Sequence, residues 1–595
     1  MLDRNGRQLA TSVDTPNIIV DPTMVPPRLV EPLAEALSPV LGLSRDQLVR
    51  RITKEQTKFV NLAKRVHPRT VVEVKRIRES LRLPDVALPI QTDSHRFYPE
   101  ETLGAHVLGF VNNDGEGKAG LEYTFNEHLY GDTLLFQRRR DRVGRAVDGP
   151  LSDAARQRAA GMTVHTTIDR RIQRITERAL EGVLLRSDPV SASAVVVDVE
   201  TGDILALANV PTFNPNAKGS DSVPRRNRAV QDAIEPGSVF KPFTVAAAVE
   251  EGLVTGASPI DCEGGTWYLG RSRIRDDHPH GMVTVSDVVK YSSNIGAAKL
   301  ALQVGAEGFI DYMHAFGFGE RTGIPLPGER RGIVRSADTI LPIELATTSY
   351  GQGVTSTVLQ LAMATAALAN DGVRMKPRLV TRVEDAYGVP EFVQGPEEVV
   401  RVISPATARE VTEMMVTVTE PGGTATRARV PGFRVAGKTG TAEKAENGRY
   451  GAGRIGSFIG FLPADDPVLA IVVSVDEPRK GSRYGGIVAA PAFAEIGEEA
   501  LRYLGVEPDP ELLDEATESA EEEVERVDNE PIRLAWAREG WEIPDLGGRP
   551  LREVVAGLGP SGIQLDIRGS GHVVGQVPPA GAVVAPGQPL LVTLK

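Results

Sequence analysis

The spacing of hydrophobic and polar residues divides the middle of the chain into a helical region with strand-like runs on either side. Apolar residues recur every three or four positions from Ile172 to Val183, and this period predicts a helix with Thr167 as its N-cap. The apolar runs Ser193–Asp198 and Ile204–Asn209 flank a turn and predict a β-hairpin. Three later runs separated by glycine and proline predict further strands: Phe433–Thr441, Arg454–Phe461 and Val468–Val475. Strands at both ends of a helical region indicate an α+β body whose sheet is assembled from distant segments.

Two further regions flank this body, and together they predict a multidomain α+β chain. Residues 1–160 alternate short strand-like runs with charged helical stretches, of which Pro39–Arg78 is predicted to be helical. Residues 542–595 are punctuated by glycine and proline and contain a predicted helix, Leu551–Leu558, and a strand-like end, Pro589–Leu594. We therefore divide the chain into an N-terminal domain (1–160), a central domain (161–506), a linker (507–541) and a small α/β module (542–595).

Length and composition limit the classes of protein that these regions can form. The 595 residues suit three or four domains, and the content of 25% charged and 5% aromatic residues is ordinary for globular protein. The net charge of −12 is concentrated in residues 507–530, which carry twelve acidic residues and one arginine and predict a solvated linker. The remainder is close to neutral, so we expect no nucleic-acid partner. The single cysteine, Cys262, excludes an intrachain disulfide and a multi-cysteine metal site, and we expect neither a metal nor a cofactor.

The first candidate for chemistry is Ser238-Val-Phe-Lys241. Residues three apart share a helix face, so the Ser238 hydroxyl and the Lys241 amine can be neighbours. Pro242 is tolerated in the first turn of a helix, which predicts that the helix begins here and places Ser238 at its positive end. An amine with a lowered pKa can accept the hydroxyl proton and activate the nucleophile. Alone, this spacing occurs about once by chance in a chain of this length, and on that evidence a plain helix start is the better explanation.

Two more motifs lie downstream. Lys438-Thr439-Gly-Thr441 falls on a predicted strand, where a lysine and two hydroxyls can receive a carboxylate and backbone N–H groups can complete an oxyanion hole. Ser292-Ser-Asn294 follows the helical stretch Val285–Tyr291, and there a hydroxyl could move a proton while an amide orients a substrate amide. The order Ser-x-x-Lys, Ser-x-Asn, Lys-Thr-Gly is the set found in penicillin-binding proteins and class A β-lactamases.

Other segments make the resemblance more specific. The sequence resembles a class B penicillin-binding protein, a monofunctional peptidoglycan D,D-transpeptidase, over nearly its whole length. Residues 542–595 look like one PASTA module, and residues 1–160 look like the family's N-terminal pedestal domain. The segments that carry this likeness are Asp3–Gly6 with Leu9-Ala10, Arg96–Pro99, Ala105–Gly109, Gly120–Glu122, Tyr350–Gly353, Tyr484–Gly486, Ala489–Pro491, Ile543–Leu546, Gly575-Gln576 and Pro578-Pro579.

The resemblance implies a role for each motif residue. Ser238 would attack the D-Ala–D-Ala carbonyl of a peptidoglycan stem peptide, and Lys241 would take its proton. Ser292 would relay a proton to the departing D-Ala, and Asn294 would hold the donor amide. The terminal carboxylate would bind Lys438, Thr439 and Thr441, and the backbone N–H groups of Ser238 and Thr441 would form the oxyanion hole. An amine on a second stem peptide would then resolve the acyl-enzyme, whereas β-lactams would acylate Ser238 as inhibitors.

Two other functions stay open at this point. A D,D-carboxypeptidase or β-lactamase-type hydrolase shares the three motifs, and a non-catalytic sensor could bind wall fragments through residues 542–595. The PASTA-like module favours a septal or sporulation enzyme, which implies a SEDS-family glycan polymerase and other divisome membrane proteins as partners. Family members carry a membrane helix just upstream of the first motif, and this chain begins inside that motif. We therefore expect an anchor in the cell membrane and a catalytic domain outside it.

Overall fold

The computed structural model describes residues 1–132, 157, 159–217, 223–446, 449–513, 532, 534–537, 540–569 and 571–594. These residues fall into two compact units, Met1–Val430 with Arg434–Glu507, and Pro431–Phe433 with Pro508–Lys595. Most of the acidic linker predicted at 507–541 lies outside the described residues. Among the described residues, no helix combines the length and apolar character needed to cross a bilayer.

The N-terminal region of the first unit is built on a three-stranded antiparallel sheet in the order β2-β1-β3. Apolar side chains of the first three helices and of this sheet form a core of their own. The elements are β1 (Thr11–Val20), α1 (Pro27–Leu41), α2 (Arg45–Ile52), β2 (Val60–Ala63), α3 (Pro68–Ser80), β3 (Ile90–Phe97), α4 (Ala105–Leu108), β4 (Phe110–Val111), β5 (Gly117–Ala119), α5 (Gly120–Thr124) and α6 (Asn126–Tyr130).

The helix predicted over Pro39–Arg78 is wrong in its middle part. Helices cover both ends of this stretch, but Val60–Ala63 forms strand β2. This strand pairs with the buried residues Ile18–Val20 of β1, and Leu62 enters the shared core. Backbone pairing and burial at a sheet edge override the weak helix preference of such a short segment.

The central sheet confirms the predicted α+β body. Its five strands are antiparallel in the order β17-β18-β19-β7-β8. Strands β7 and β8 come early in the central domain, and the three strands that complete the sheet follow more than 200 residues later. The strands are β6 (Thr163–Thr166), β7 (Ser191–Asp198), β8 (Ile204–Val210), β9 (Pro259–Asp261), β10 (Thr266–Leu269), β11 (Ser272–Arg275), β12 (Met282–Thr284), β13 (Val373–Met375), β14 (Val380–Glu384), β15 (Pro390–Val393), β16 (Glu398–Arg401), β17 (Ala436–Glu446), β18 (Arg449–Leu462) and β19 (Leu469–Asp476). Strand β17 forms one edge of the sheet, and this edge borders the candidate site.

Helices cover the central sheet. Helix α14 is buried along its whole length and contacts strands β7, β18 and β19, whereas α7 and α17 pack against each other and on the sheet. The helices of this region are α7 (Arg170–Ser187), α8 (Arg228–Gln231), α9 (Lys241–Glu250), α10 (Val285–Lys290), α11 (Asn294–Val304), α12 (Ala306–Ala315), α13 (Pro342–Thr348), α14 (Val358–Ala369), α15 (Pro405–Val416), α16 (Gly485–Val488) and α17 (Ala490–Leu504).

The start of α7 differs from the prediction by two residues. Asp169, not Thr167, is the N-cap, and its carboxylate accepts hydrogen bonds from the backbone N–H groups of Arg171 and Ile172. The Thr167 hydroxyl instead lies within hydrogen-bond distance of two carbonyl oxygens, that of Ile204 at 2.8 Å and that of Arg378 at 2.9 Å, and donates its one proton between them. Both residues are common N-caps, so the pattern alone does not separate them.

The second unit contains a small α/β module. The helix of this module is α18 (Leu551–Leu558) and its C-terminal strand is β25 (Pro589–Leu594), and both ranges are as predicted. Two three-stranded sheets, in the orders β20-β21-β24 and β22-β25-β23, complete it. The remaining strands are β20 (Ala535–Ala537), β21 (Gly540–Glu542), β22 (Gln564–Arg568), β23 (Val573–Val577) and β24 (Val583–Val584).

Candidate active site

Ser238 lies in a tight turn that leads into helix α9. Residues Gly237–Phe240 form one 3₁₀ turn and Lys241 begins the α-helix, with Pro242 in its first turn as predicted. The turn depends on Gly237, which has a φ of +61° and donates its N–H to the carbonyl of Gly351 at 3.1 Å. A Cβ on Gly351 would overlap the Gly237 backbone, so the segment 350–353 holds the turn of Ser238 by direct backbone contact.

Lys241 is completely buried and connects the first and second motifs. Its Nζ lies 3.0 Å from the Oγ of Ser238 and 2.8 Å from the Oδ1 of Asn294. It also contacts the backbone carbonyl of Ser292 at 2.5 Å and the Ser292 hydroxyl at 3.0 Å. A neutral amine has two N–H donors and one lone pair. Donation to the Ser292 carbonyl and to Asn294 therefore leaves the lone pair for the Ser238 hydroxyl proton.

The electrostatics of the pocket favour that neutral form. Burial lowers the pKa of Lys241 to about 7, and the carboxylates of Asp276 and Asp277 oppose the shift. An amine with a pKa near the working pH is present partly as free base and is still basic enough to take a proton from a hydroxyl. Lys241 thus has both the position and the protonation behaviour of a general base.

The second motif connects helices α10 and α11, and both its backbone and its side chains are fixed by contacts. Ser292 follows α10 and its C-cap Tyr291, and adopts a φ of +63°, a left-handed conformation that is uncommon for a residue with a side chain. The Ser293 hydroxyl caps α11, which begins at Asn294. The Asn294 amide donates to the carbonyl of Arg275 at 2.7 Å, so the orientation of its side chain is fixed from both ends.

Asp276 is a residue of the site that the sequence did not reveal. Its carboxylate accepts hydrogen bonds from the Ser293 hydroxyl at 2.6 Å, from the Asn294 N–H at 2.6 Å and from the Ile295 N–H at 3.0 Å. Asp276 directly follows strand β11 and lies 18 positions before Asn294 in the chain. In the sequence it is two residues before His278, in a segment that reads as a loop. Acidic residues are common in sequences, so the fold was needed to identify Asp276 as the one that contacts the Ser-x-Asn motif. Asp276 positions the motif that contacts Lys241.

Asp276→Asn is expected to change both the rate and the pH dependence of acylation. The amide can still accept from the backbone N–H groups and donate to Ser293, but the charge that raises the pKa of Lys241 is lost. The neutral amine of Lys241 then persists at lower pH, so the midpoint of the plot of acylation rate against pH moves below about 7. The rate at the high-pH plateau falls about tenfold, because the second motif is held less firmly. The measurement is the second-order rate of acylation by a fluorescent penicillin across pH.

Asp277→Asn provides the matched control. Its carboxylate also raises the pKa of Lys241, but it makes no hydrogen bond to the motif among the described residues. We expect this variant to shift the midpoint in the same direction and to keep the plateau. Identical plateaus for the two variants would show that Asp276 acts through its charge alone.

The third motif lies on edge strand β17 and faces the turn of Ser238. A Cβ on Gly440 would lie 3.0 Å from the carbonyl oxygen of Pro236 and 3.2 Å from the backbone nitrogen of Val239. Glycine permits this close approach of the strand to the turn of Ser238. The carbonyl oxygen of Thr441 also lies 3.4 Å from the point where a Cβ on Gly237 would stand, so strand β17 runs beside the turn that carries Ser238.

The side chains of this strand line the same cleft. Lys438 is completely buried, and its Nζ lies 3.1 Å from the carbonyl of Thr439. Burial, together with the positive charge of Lys241, holds the pKa of Lys438 well below its usual value. The Thr439 hydroxyl contacts that of Thr424 at 3.1 Å, and the Thr441 hydroxyl accepts the N–H of Gly485 at 3.2 Å. The three motifs thus converge, although they are far apart in the chain.

Nothing in the described part of the chain resembles a metal site. No group of three or more His, Cys, Asp or Glu side chains there could hold a metal ion. His280, of the His278-Pro-His280 pair, stacks on the ring of Tyr291. Cys262 is buried and its sulfur contacts the Ser293 hydroxyl oxygen at 3.2 Å, so it packs against the second motif.

The fold places the protein among the active-serine acyltransferases, in which the nucleophile begins a helix that faces the edge strand of an antiparallel sheet. Three family descriptions match the sequence: "Penicillin-binding Protein dimerisation domain" at residues 1–166, "Penicillin binding protein transpeptidase domain" at 192–498, and "PASTA domain" at 542–595. The chain belongs to the class B penicillin-binding proteins and carries a C-terminal PASTA domain.

Individual relatives agree with this assignment. The chain is 36% identical to peptidoglycan D,D-transpeptidase FtsI of Escherichia coli over 85% of this chain and 84% of the relative. It is 32% identical to stage V sporulation protein D of Bacillus subtilis over 100% of this chain and 89% of the relative. Among solved structures, a peptidoglycan synthetase from Bifidobacterium adolescentis is 28% identical with a TM-score of 0.65, over 85% of this chain and 95% of that one.

Proposed function

We propose that this protein is a peptidoglycan D,D-transpeptidase that cross-links stem peptides through an acyl-enzyme on Ser238. The observation that carries the proposal is the buried amine of Lys241, which contacts the Ser238 hydroxyl and both functional residues of the second motif. Relatives of this chain are named as D,D-transpeptidases, and the penicillin binding for which the matched family is named agrees with a partly exposed nucleophilic serine.

The contacts of Lys241 support the following course for acylation. The Oγ of Ser238 attacks the carbonyl carbon of the penultimate D-Ala while Lys241 accepts its proton. The oxyanion of the tetrahedral intermediate lies at the backbone N–H groups of Ser238 and Thr441, where the positive end of α9 also favours negative charge. The intermediate collapses when the C–N bond breaks, and Ser292, 3.0 Å from the Lys241 Nζ, passes the proton to the departing amine. An acceptor amine then attacks the ester and returns the proton by the reverse route.

The third motif supplies substrate recognition. The terminal carboxylate of the donor binds Lys438, Thr439 and Thr441 through charge-assisted hydrogen bonds. Because an opposite charge favours the ionised amine, the arriving carboxylate restores the ammonium form of Lys438 against the effect of burial. Asn294 keeps one N–H and one lone pair free after its contacts with Arg275 and Lys241, and these suffice to hold a peptide amide.

Transfer and hydrolysis can be separated with one assay. With a thioester donor that mimics an acyl-D-Ala and an amine acceptor, we expect the amide product to exceed the free acid, and its share to rise with acceptor concentration. The same sample should hold bound fluorescent penicillin with slow release. Rapid release of the penicillin and an exclusive acid product would instead identify a hydrolase, and the absence of any covalent adduct would favour the wall-binding sensor.

We also propose that the enzyme acts outside the cell membrane, anchored to it, in septal or sporulation-associated wall synthesis. The substrate assigned to it is assembled there, and relatives that cover most of the chain include a protein named FtsI and one named for stage V of sporulation. A SEDS-family glycan polymerase and divisome membrane proteins are the proposed partners, engaging the N-terminal domain. Co-purification from membranes tests this proposal, which fails if no such polymerase accompanies the protein.

A further inference from the structure

Lys290 is a cation next to the second motif, and the proposed mechanism gives it no role. It is the last residue of α10 and is joined through Tyr291 to Ser292. Its Nζ lies 5.8 Å from the centre of the Tyr291 ring and 4.0 Å from the point where a Cβ on Gly422 would stand. Lys290 therefore lies between the segment of the second motif and the loop that follows helix α15.

That loop leads directly to the third motif. Thr424, two residues after Gly422, contacts the Thr439 hydroxyl at 3.1 Å, and its carbonyl lies against Gly486. One side of Lys290 is thus formed by residues next to Thr439, and the other by residues next to Ser292. The proposed function, on which this inference rests, assigns Thr439 to the donor's terminal carboxylate and Ser292 to the departing amine. Lys290 borders the end of the cleft from which the terminal D-Ala departs.

The charge of Lys290 is available to a ligand. No carboxylate in the part of the chain that the structure describes forms an ion pair with it, and its recorded contact is with the face of the Tyr291 ring. Tyr291 itself is 37% exposed and stacks on His280 with 4.8 Å between ring centres. Lys241 and Lys438, by contrast, are fully buried with lowered pKa values. Within the described part of the chain, Lys290 is therefore a partly exposed cation next to the second motif that has no ion-pair partner.

We propose that Lys290 and Tyr291 form a subsite for a carboxylate of the acceptor stem peptide. An acceptor amine must reach the acyl carbon from the side on which the first amine left, because the second half of the reaction retraces the first. An acceptor on that path passes between Tyr291 and Gly422, within reach of the Lys290 ammonium. Stem peptides carry an acidic residue close to the amine that attacks the acyl-enzyme. If its carboxylate forms an exposed ion pair with Lys290, acceptors with a free carboxylate react better than acceptors in which that carboxylate is amidated.

The test compares two acceptors in the full-length protein. The first is a stem tripeptide whose diamino residue supports transfer by the wild-type enzyme and whose preceding acidic residue has a free carboxylate; the second is the same peptide with that carboxylate amidated. With a thioester donor, we expect kcat/KM for transfer to be about three- to fivefold higher for the free acid, the size expected of an exposed ion pair. In Lys290→Ala the ratio should fall to about one, and Lys290→Arg should preserve it.

The controls separate this subsite from a structural role. A lysine that merely complements the C-terminal end of α10 would affect both acceptors equally, so an unchanged ratio in Lys290→Ala overturns the proposal. Lys376→Ala, which removes an ion pair with Glu397 on another surface, should leave the ratio unchanged. Acylation by fluorescent penicillin should stay near the wild-type rate in Lys290→Ala. If wild-type protein forms no penicillin adduct, the proposed function fails; if it forms the adduct but shows no acceptor preference, only the subsite is excluded.

Discussion

Ser238→Ala is expected to abolish covalent labelling by fluorescent penicillin and to reduce transfer from a thioester donor by at least about 10⁴-fold. No other hydroxyl replaces it, because Ser292, the other serine hydroxyl that contacts Lys241, belongs to a segment held in a left-handed turn by α10 and α11. Removal of a covalent nucleophile leaves only the modest rate enhancement of binding and of the oxyanion hole. The measurement is gel fluorescence together with intact-protein mass after incubation with the drug.

Ser238→Ala should fold normally, so a loss of covalent labelling reports the missing hydroxyl and not an unfolded protein. Ser238 is only half-buried, its hydroxyl makes the contact with Lys241, and the turn is held by the backbone of Gly237 and Gly351. We expect a thermal midpoint within a few degrees of the wild type and undiminished non-covalent binding of a stem peptide. A labelled Ser238→Ala protein would disprove the assignment of the nucleophile and would direct attention to Ser292.

Lys241→Met is expected to lower the acylation rate by about 10² to 10⁴-fold, the usual contribution of a positioned general base. Methionine fills most of the buried volume but removes the amine that contacts Ser238, Ser292 and Asn294. In the wild type, the rate should rise about tenfold per pH unit below 7 and level off above it, because the neutral amine is the active form and its pKa is about 7. The measurement is stopped-flow acylation across pH.

The sign of this pH dependence distinguishes Lys241 from other bases. Burial lowers the pKa, so the protonated and inactive form dominates at acidic pH and is lost as the pH rises through about 7. Lys241→Met should show a low rate without that rising limb. A variant that kept the limb would place the base elsewhere, and a wild-type profile that fell between pH 6 and 8 would contradict the role of the neutral amine.

The sequence predicted the class of the site because its chemistry is concentrated in three short motifs. Ser238 and Lys241 are one helical turn apart, so their proximity follows from local geometry. The contacts of Lys241 with Ser292 and Asn294 cross more than 50 residues, and only the recurrence of all three motifs in order predicted them. The central strands were predicted well, because buried strands are continuous apolar runs with clear turns between them.

What the sequence did not predict depends on tertiary contacts. Strand β2 is a four-residue edge strand whose pairing partner lies about 40 residues earlier, and no local pattern marks it. Asp276 is one acidic residue among many until strand β11 brings it to the start of α11. Lys290 precedes the second motif by two residues, but only the fold brings Gly422 close to its amine and Thr424 close to Thr439.

The glycines around Ser238 limit how this protein can adapt to drugs. A methyl group on Gly351 or Gly485 would overlap the backbone of a neighbouring segment, and one on Gly440 would press on the side chain of Val239. Resistance cannot arise there by blocking the antibiotic with a larger side chain, since the same change would displace the nucleophile or the strand opposite. Variation under antibiotic selection is thereby directed to the outer residues of the cleft, such as Tyr291, Thr424 and the exposed Tyr484, where discrimination between drug and natural substrate can still change.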